Sequence, residues 1–265
     1  MRRSGLLWGV ILFLVGALLL LNNLGIVAVN VWGAVWAVVL IALGLGILWG
    51  ISFGWGQPAG EEVSIPLERA ASARIRVKHG AGRLRVSGGT APDALVEGTF
   101  GGSLNYRTRR TGDKLDVEMS LGSFPHMLAP WNWGRGGFGW TFRVNDDVLL
   151  ALAFETEASD VRLDLSELLV SDLRIDTGAS SLNLTLPTSA GQSHARIDAG
   201  AAAVSIHVPP EVAARVRFKG GLASISVDLG RFPRTGGIYQ SPDYEGAENR
   251  VDIEIEAGVG SVSVR

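Results

Sequence analysis

The chain has 265 residues, of which 47% are hydrophobic and 19% charged, with a formal net charge of -2 and no cysteine. The lack of cysteine excludes disulfides, thiolate zinc sites, iron-sulfur clusters and cysteine nucleophiles, and the near-neutral charge argues against nucleic acid as a partner, because phosphate binding needs concentrated basic charge. No Asp, Glu, Lys, Arg or His occurs between Gly5 and Gly56, so this composition break predicts a domain boundary near residue 57.

Residues 1–56 are predicted to form a transmembrane helical hairpin. The two apolar stretches, 4–22 and 31–53, each have about the 20 residues that a helix needs to cross a bilayer. The sequence Asn22-Asn23-Leu24-Gly25 supplies the turn between them. A cleaved signal peptide is the alternative, because Arg2 and Arg3 precede the first apolar stretch, but a second apolar stretch follows at once and no A-x-A-like site separates them.

The distribution of basic residues predicts the orientation of this hairpin. Arg2 and Arg3 place the amino terminus in the cytoplasm, and two crossings return the chain there. Residues 68–114 contain ten Lys or Arg against four Asp or Glu, a surplus that suits the anionic inner leaflet or simply forms the solvated face of strands. We therefore expect a multi-pass protein of a bacterial cell membrane with its polar domain in the cytoplasm, an external domain being the alternative.

After a linker at 57–62, residues 63–265 are predicted to form an all-β domain. Apolar and polar residues alternate, and no apolar stripe at helical spacing persists. The domain divides into an N-terminal part (63–120), a Gly/Trp-rich loop (121–142) and repeats (143–265).

The repeats share a template of apolar-x-x-Gly with apolar residues four and six positions later. Its first apolar positions are evenly spaced until the last one, which follows an insertion between Leu229 and Arg250. These positions are Phe154, Ile175, Ile197, Phe218 and Ile255, and in the first copy Glu157 takes the place of the glycine. The pattern predicts a β-solenoid with rungs of about 21 residues.

The repeated glycine of the template is predicted to form a tight corner in each rung, where a positive φ or a close backbone approach is needed. These structural turn glycines are Gly80, Gly178, Gly200, Gly221 and Gly258.

Polar positions beside the template are also expected to stack. Successive rungs would align Arg174, Arg196 and Arg217 in one row, next to a second row of Asp176, Asp198 and Lys219. Neighbouring rows of opposite charge can pair across strands, and a solvated, ion-paired face is favoured over a binding site.

No motif indicates catalysis, a cofactor or a metal ion. The G-x-G-x-x-G match at 134–139 is not part of a strand-helix-strand unit, the four histidines lack ligand spacing, and no G-x-S-x-G is present. The chain is therefore predicted not to be an enzyme and to have no small-molecule substrate.

One aromatic segment is distinct from the repeats. Residues 123–142 combine glycines with large aromatic side chains and lack acidic residues. The segment would cap the solenoid core, contact a partner or enter a lipid interface. The candidate contact residues are Trp131, Trp133, Phe138 and Trp140.

Several of these motifs resemble a known bacterial family. The start Gly5-x-x-x-Gly9 and the Asn22–Gly25 turn resemble the transmembrane region of LiaI- and LiaF-type envelope-stress proteins. Three later stretches resemble the LiaF carboxy-terminal and toast-rack domains: Leu163-Asp164-Leu165-Ser166, Asp176-Thr-Gly178-Ala-Ser180 and Ile206-His-Val-Pro209.

The resemblance implies stacked β-solenoids and a regulatory role, because LiaF-type proteins hold a membrane histidine kinase inactive until the cell wall is damaged. Residues 90–142 match no part of that family, and no functional residue carries over. We therefore expect a non-enzymatic, membrane-anchored interaction protein that modulates an envelope-stress sensor kinase, the bilayer and the kinase being its partners. The alternative is an externally facing envelope scaffold or adhesion-type solenoid.

Overall fold

The computed structural model describes residues 60–102, 104–122 and 139–265. These residues belong to a unit that extends from Gln57 to Arg265, and their regular structure consists of β-strands, which confirms the all-β prediction for this part of the chain. None of them forms a helix long and apolar enough to cross a membrane. The predicted transmembrane hairpin, with spans at 4–22 and 31–53, and residues 123–138 of the aromatic segment lie outside the described residues.

The described residues form fifteen strands. The first eight are β1 (Glu61–Pro66), β2 (Ser72–Gly88), β3 (Ala94–Phe100), β4 (Leu104–Thr111), β5 (Lys114–Leu121), β6 (Gly139–Val144), β7 (Leu149–Asp164) and β8 (Val170–Thr177). The remaining seven are β9 (Ser181–Thr185), β10 (Gln192–His207), β11 (Ala213–Lys219), β12 (Ser224–Val227), β13 (Arg234–Thr235), β14 (Ile238–Gln240) and β15 (Arg250–Val264).

Each rung of the solenoid passes through two faces. The long strands β2, β7, β10 and β15 bend at a corner, so their first halves lie in one face, the front, and their second halves in the other, the back. The pairs β5/β6, β8/β9 and β11/β12 form rungs in two pieces. Buried and exposed side chains alternate along these strands, as expected when one side of each strand faces a core.

The middle rungs stack in chain order. Phe154 of β7 pairs with Ile175 of β8, which pairs with Ile197 of β10, in parallel register. These three residues occupy the same position of the repeated template in successive rungs. The predicted solenoid, with rungs that follow the period of the sequence template, is therefore confirmed here.

The rungs at both ends stack out of chain order, unlike the sequence expectation. At the carboxy-terminal end, β15 lies between β10 and the pair β11/β12. At the other end, β2 pairs with β7 on one side and with the pair β5/β6 on its outer side. The chain can return to the β10 edge because the long segment 228–249 separates β12 from β15.

This order corrects the predicted charge rows. Arg196 lies opposite Glu254 of β15, and Glu254 lies opposite Arg217, so the second and third arginines of the predicted row are separated by an acid. Alternating charges on adjacent strands attract, whereas like charges directly opposite repel. Insertion of β15 thus separates Arg196 from Arg217, although it also places Glu256 directly opposite Asp198.

Two continuous apolar columns form the core. The front column contains Met119, Val77, Phe154, Ile175, Ile197 and Ile255, and the back column contains Trp140, Leu84, Val161, Leu182, Val204 and Val262, all buried. Each such side chain contributes about 1.5–3 kcal/mol when fully buried. The column, and not any single rung, is thus the stable unit.

Antiparallel strands extend the ends of both faces. At one end β4 pairs with β5 on the front, and β3 and β1 extend the back beyond β6. At the other end β14 and β13 extend the front beyond β11. On the back, β12 is the last described strand.

Candidate interaction surface

The stacked corners bring backbone very close to backbone. An added Cβ would lie 2.8 Å from the Glu157 carbonyl oxygen at Gly178, 3.1 Å from that of Gly178 at Gly200 and 2.6 Å from that of Gly200 at Gly258. Atoms other than hydrogen rarely approach a Cβ this closely without displacement, so the close approach of the next rung favours glycine at these three corners.

The two remaining corner glycines behave differently. Gly221 combines a φ of +93° with a Cβ position that would overlap the Ala257 carbonyl oxygen, so both conformation and space demand glycine there. At Gly80 the nearest atom, Leu121 Cδ1, would be at an ordinary contact distance of 3.8 Å.

The missing side chains leave a shallow groove of about 620 Å³ along the corners. Its floor is formed by Gly178, Gly200, Gly258 and Gly221, and so crosses four adjacent rungs. Its charged lining residues are Asp176, Asp198, Glu256 and Arg196. We refer to this feature as the corner groove.

An acidic row borders the corner groove on the front face. Glu155, Asp176, Asp198 and Glu256 occupy directly opposite positions on β7, β8, β10 and β15. Lys78 of β2 and Lys219 of β11 end the row on either side. Four carboxylates in register repel one another, so this row raises the negative potential beside the groove.

Arg196 partly neutralises this row. Its Nε donates to Asp198 Oδ2 at 3.1 Å, and its other nitrogens lie 3.9 Å from carboxylate oxygens of Glu254 and Glu256. The hydrogen bond with Asp198 is the main reason that the pKa of Arg196 is raised. With three acids and one arginine in the lining, the groove keeps an excess of negative charge.

A larger concave region of about 720 Å³ lies on the back face. Its lining mixes both signs of charge with hydroxyl and amide groups: Arg162, Asp164, Asn183, Thr185, Ser205, His207 and Arg265, together with Leu163 and Leu184. Two arginines face one aspartate here, a smaller excess of charge than the three acids against one arginine of the corner groove, which is therefore the better-defined recognition surface.

The comparisons with known proteins agree with this architecture. A family model described as the N-terminal domain of toast_rack, DUF2154, matches residues 55–207, more than half of the 265 residues. The match includes residues 90–142, for which the sequence motifs gave no resemblance, so that expectation was wrong. The chain belongs to the toast-rack family.

The crystal structure of "a putative cell adhesion protein" from Clostridium sporogenes has the same fold as this toast-rack chain. The TM-score is 0.69 at 18% sequence identity, and the alignment covers 78% of this chain and 99% of that chain. At this identity the likeness shows the fold alone. No curated protein matches the chain.

The family match ends at His207, which is also the last residue of β10. The rungs formed by β11/β12 and β15 therefore lie beyond the matched residues. Glu256, Gly258 and Gly221, which complete the corner groove, come from these rungs.

One predicted contact residue of the toast-rack domain is in the core. The Trp140 side chain is fully buried, its Nε1 donates to the Gly101 carbonyl at 3.1 Å, and its ring packs edge-on against Phe100 and His79. Trp140 is therefore a core residue of the back column and does not contact lipid or a partner as the sequence had suggested. The other three, Trp131, Trp133 and Phe138, lie outside the described residues.

The sequence pointed to part of this surface and missed the rest. Asp176 and Asp198 were expected to be adjacent, and they are. The sequence pattern does not predict Glu256 beside Asp198, because the template gives no stacking order, although Glu256 occupies the same template position as the two aspartates.

Within the described ranges no three His, Cys, Asp or Glu side chains are grouped as metal ligands would be. The chemistry offered by the corner groove is therefore charge and backbone carbonyl groups. Such a surface recognises cationic donors, for example Lys and Arg side chains.

Proposed function

We propose that this protein is a membrane-anchored, non-enzymatic interaction protein whose toast-rack domain binds a basic segment of a protein partner in the corner groove. The observation that carries the proposal is the lining of the groove, in which Asp176, Asp198 and Glu256 face a single Arg196. Complementary charge of this kind speeds association and selects partners.

The dimensions of the groove suit a short extended peptide. Four parallel rungs at about 4.8 Å spacing span about 14 Å, which is the length of about four extended residues. The floor carries no side chains, so a peptide backbone can approach closely while its basic side chains reach the acidic row.

The partner we propose is a membrane histidine kinase of the envelope-stress type. The support is the resemblance to LiaF-type proteins, which hold such a kinase inactive, together with the predicted membrane hairpin at 1–56 and the predicted cytoplasmic location of the domain. Anchoring both proteins in one bilayer raises their effective concentration, so a shallow and weak site suffices.

Charge reversal in the groove tests this proposal. The full chain, extracted in mild detergent from a bacterial host, is used to recover the kinase. The double variant Asp198→Lys/Glu256→Lys is compared with Glu211→Lys, which reverses an exposed acid away from the groove. We expect kinase recovery to fall about tenfold or more in the double variant and to stay unchanged in the control.

Salt supplies a second readout for the same complex. Because exposed charges are screened within about 8 Å at physiological ionic strength and about 3 Å at 1 M salt, recovery by the unmodified chain should fall as salt rises. Failure to recover any kinase would refute the partner, and equal recovery by both variants would refute the groove as its site.

An externally facing envelope scaffold is the second candidate function. The observation that favours it is the description of the Clostridium sporogenes structure as a putative cell adhesion protein. The two candidates differ in the side of the membrane on which the toast-rack domain lies, which a reporter fusion measures directly.

A further inference from the structure

The described strands leave four sheet edges without a strand neighbour: β4 and β13 on the front face, and β1 and β12 on the back face. Free edges invite pairing with other chains, and proteins commonly block them with charged residues, proline or very short strands. Three of these edges have such features. They are Arg107, Arg109 and Arg110 on β4, Glu61, Glu62 and Pro66 on β1, and the two-residue length of β13 with Arg234 after Pro233.

The fourth edge, β12, has none of these protective features other than its short length. Its sequence, Ser224–Val227, contains no charge and no proline. It pairs with β15 on one side, and no other described strand pairs with it.

Apolar side chains are exposed along this edge. Leu222 before β12, Ile225 within it and Leu229 after it are 88%, 42% and 62% exposed. Val259 of β15, next to Leu222 at the corner, is 59% exposed. Together these are four of the six large hydrophobic side chains that are exposed among the described residues.

The exposed isoleucine is the open end of a core column. Ile225 lies opposite Val262, and Val262 opposite Val204, so the back column reaches the surface at β12. On the front face the equivalent position, Phe218, is covered by Tyr239 of β14, with ring centroids 5.7 Å apart. One face of the last rung is thus capped and the other is not.

We propose that β12 pairs antiparallel with β12 of a second copy of this chain about a two-fold axis. The inference concerns a different surface from the corner groove and does not rest on it. The uncharged edge is what selects the occupant: two copies of β12 meet without charge repulsion, whereas pairing β12 with β1 or β4 would bring its exposed apolar side chains beside glutamates or arginines.

The two-fold pairing continues the back column from one copy into the next. Directly opposite residues of an antiparallel pair point to the same side of the sheet. Ile225 must therefore face Ile225 or Val227 of the second copy, which keeps both residues inward and both serines outward. Leu222 and Leu229 then flank the junction at its two ends.

Single-cysteine cross-linking tests the pairing, because the natural chain has no cysteine. Full-length Ser224→Cys, Ile225→Cys and Ser226→Cys variants in detergent are treated with a short bis-maleimide, with Ser64→Cys on the exposed edge β1 as the control. We expect covalent dimers from at least one β12 variant and none from the control. No dimer from any β12 variant, or equal dimer from the control, would overturn the proposal.

A charged substitution separates edge pairing from other modes of association. Ile225→Lys places like charges on both sides of the two-fold axis, and Leu149→Lys introduces the same charge at another exposed apolar position, on β7. By light scattering of the full chain we expect a dimer for the unmodified chain and Leu149→Lys, and about tenfold or more weaker association for Ile225→Lys.

Circular dichroism of both lysine variants verifies that they fold. A full chain that is monomeric would overturn the proposal, as would a folded Ile225→Lys variant that stays dimeric.

Discussion

At the scale of single residues, Tyr244 attaches the long insertion 228–249 to the solenoid. Its hydroxyl donates to Asp252 Oδ2 at 2.7 Å, and the guanidinium of Arg215 lies 4.1 Å from its ring centre. Burial, followed by the hydrogen bond to Asp252, raises the pKa of Tyr244 to about 12. The protonated hydroxyl is therefore the form that the folded protein favours.

This pKa predicts how Tyr244 contributes to stability. Since the folded pKa exceeds the unfolded value of about 10, the contribution is complete below about pH 10 and is lost as pH rises towards 12. Tyr244→Phe removes a hydrogen bond to a charged group and should lower the free energy of unfolding at pH 7 by about 1.5–3 kcal/mol.

Urea titrations of the full chain and of Tyr244→Phe, followed by circular dichroism at pH 7 to 12, measure both effects. The difference between the two proteins should shrink above pH 10. A difference that stays constant up to pH 12 would show that folding does not raise the pKa of Tyr244.

The corner glycines give a second prediction at this scale. Gly258→Ala forces a Cβ to 2.6 Å from the Gly200 carbonyl oxygen, a backbone atom that cannot move alone, whereas Gly80→Ala makes an ordinary 3.8 Å contact with a side chain. We expect the first substitution to cost about 1–3 kcal/mol and the second less than about 0.5 kcal/mol. Thermal unfolding of both variants measures these costs. Equal losses of stability would show that the backbone at the Gly258 corner can move to accommodate a Cβ.

At the scale of the strands, the sequence was sufficient to predict the middle of the solenoid but not its ends. The period of the template places Phe154, Ile175 and Ile197 on adjacent rungs because consecutive rungs are joined by short turns. Every rung has apolar residues at the same template positions, so the template cannot rank alternative stacking orders. Charge does not rank the orders either, because β15 places Glu254 between Arg196 and Arg217 but also Glu256 beside Asp198.

The same limit applies to the candidate surface. The aspartates of the middle rungs were predictable as neighbours, but extension of the acidic row by Glu256 requires knowledge that β15 follows β10 in space. For Trp140, an aromatic residue beside a glycine-rich segment fits a core cap and a surface contact equally well in sequence. Only its contacts with Phe100 and His79 distinguish the two.

The inserted position of β15 leads to a prediction about truncation. If the carboxy-terminal segment 250–265 formed a terminal rung, deleting it would leave the others intact. Because β15 contacts β10 on one side and β11 and β12 on the other, its deletion should also release residues 213–249 from the core.

Hydrogen exchange of the full chain and of a chain ending at Asn249 tests this. We expect amide protection to be lost from residue 213 onward in the truncated chain, while β7 and β8 keep theirs. Removal of Arg265 alone is the control. It removes the backbone hydrogen bonds of Arg265 with Ile206 and Val208 and should leave the protection of β11 and β12 unchanged. Protection retained in β11 after the truncation would contradict the inserted arrangement.

At the scale of the whole molecule, the side of the membrane that holds Arg265 decides between the two proposed functions. If Arg2 and Arg3 stay in the cytoplasm and both predicted spans, 4–22 and 31–53, cross the membrane, the carboxy terminus returns to the cytoplasm. In a bacterial host, a fluorescent protein that matures in the cytoplasm should therefore be fluorescent when fused after Arg265. A phosphatase that is active only outside the cytoplasm should be inactive at the same position.

A phosphatase inserted between residues 22 and 30 provides the matched control, since the predicted topology puts this turn on the opposite side, where the enzyme is active. Cytoplasmic Arg265 with an external hairpin places the corner groove in the same compartment as the catalytic part of a sensor kinase, as kinase modulation requires. An external Arg265 would mean a single retained span or cleavage after the first one. The acidic row would then face envelope polymers or cationic external ligands, and the scaffold function would replace kinase modulation.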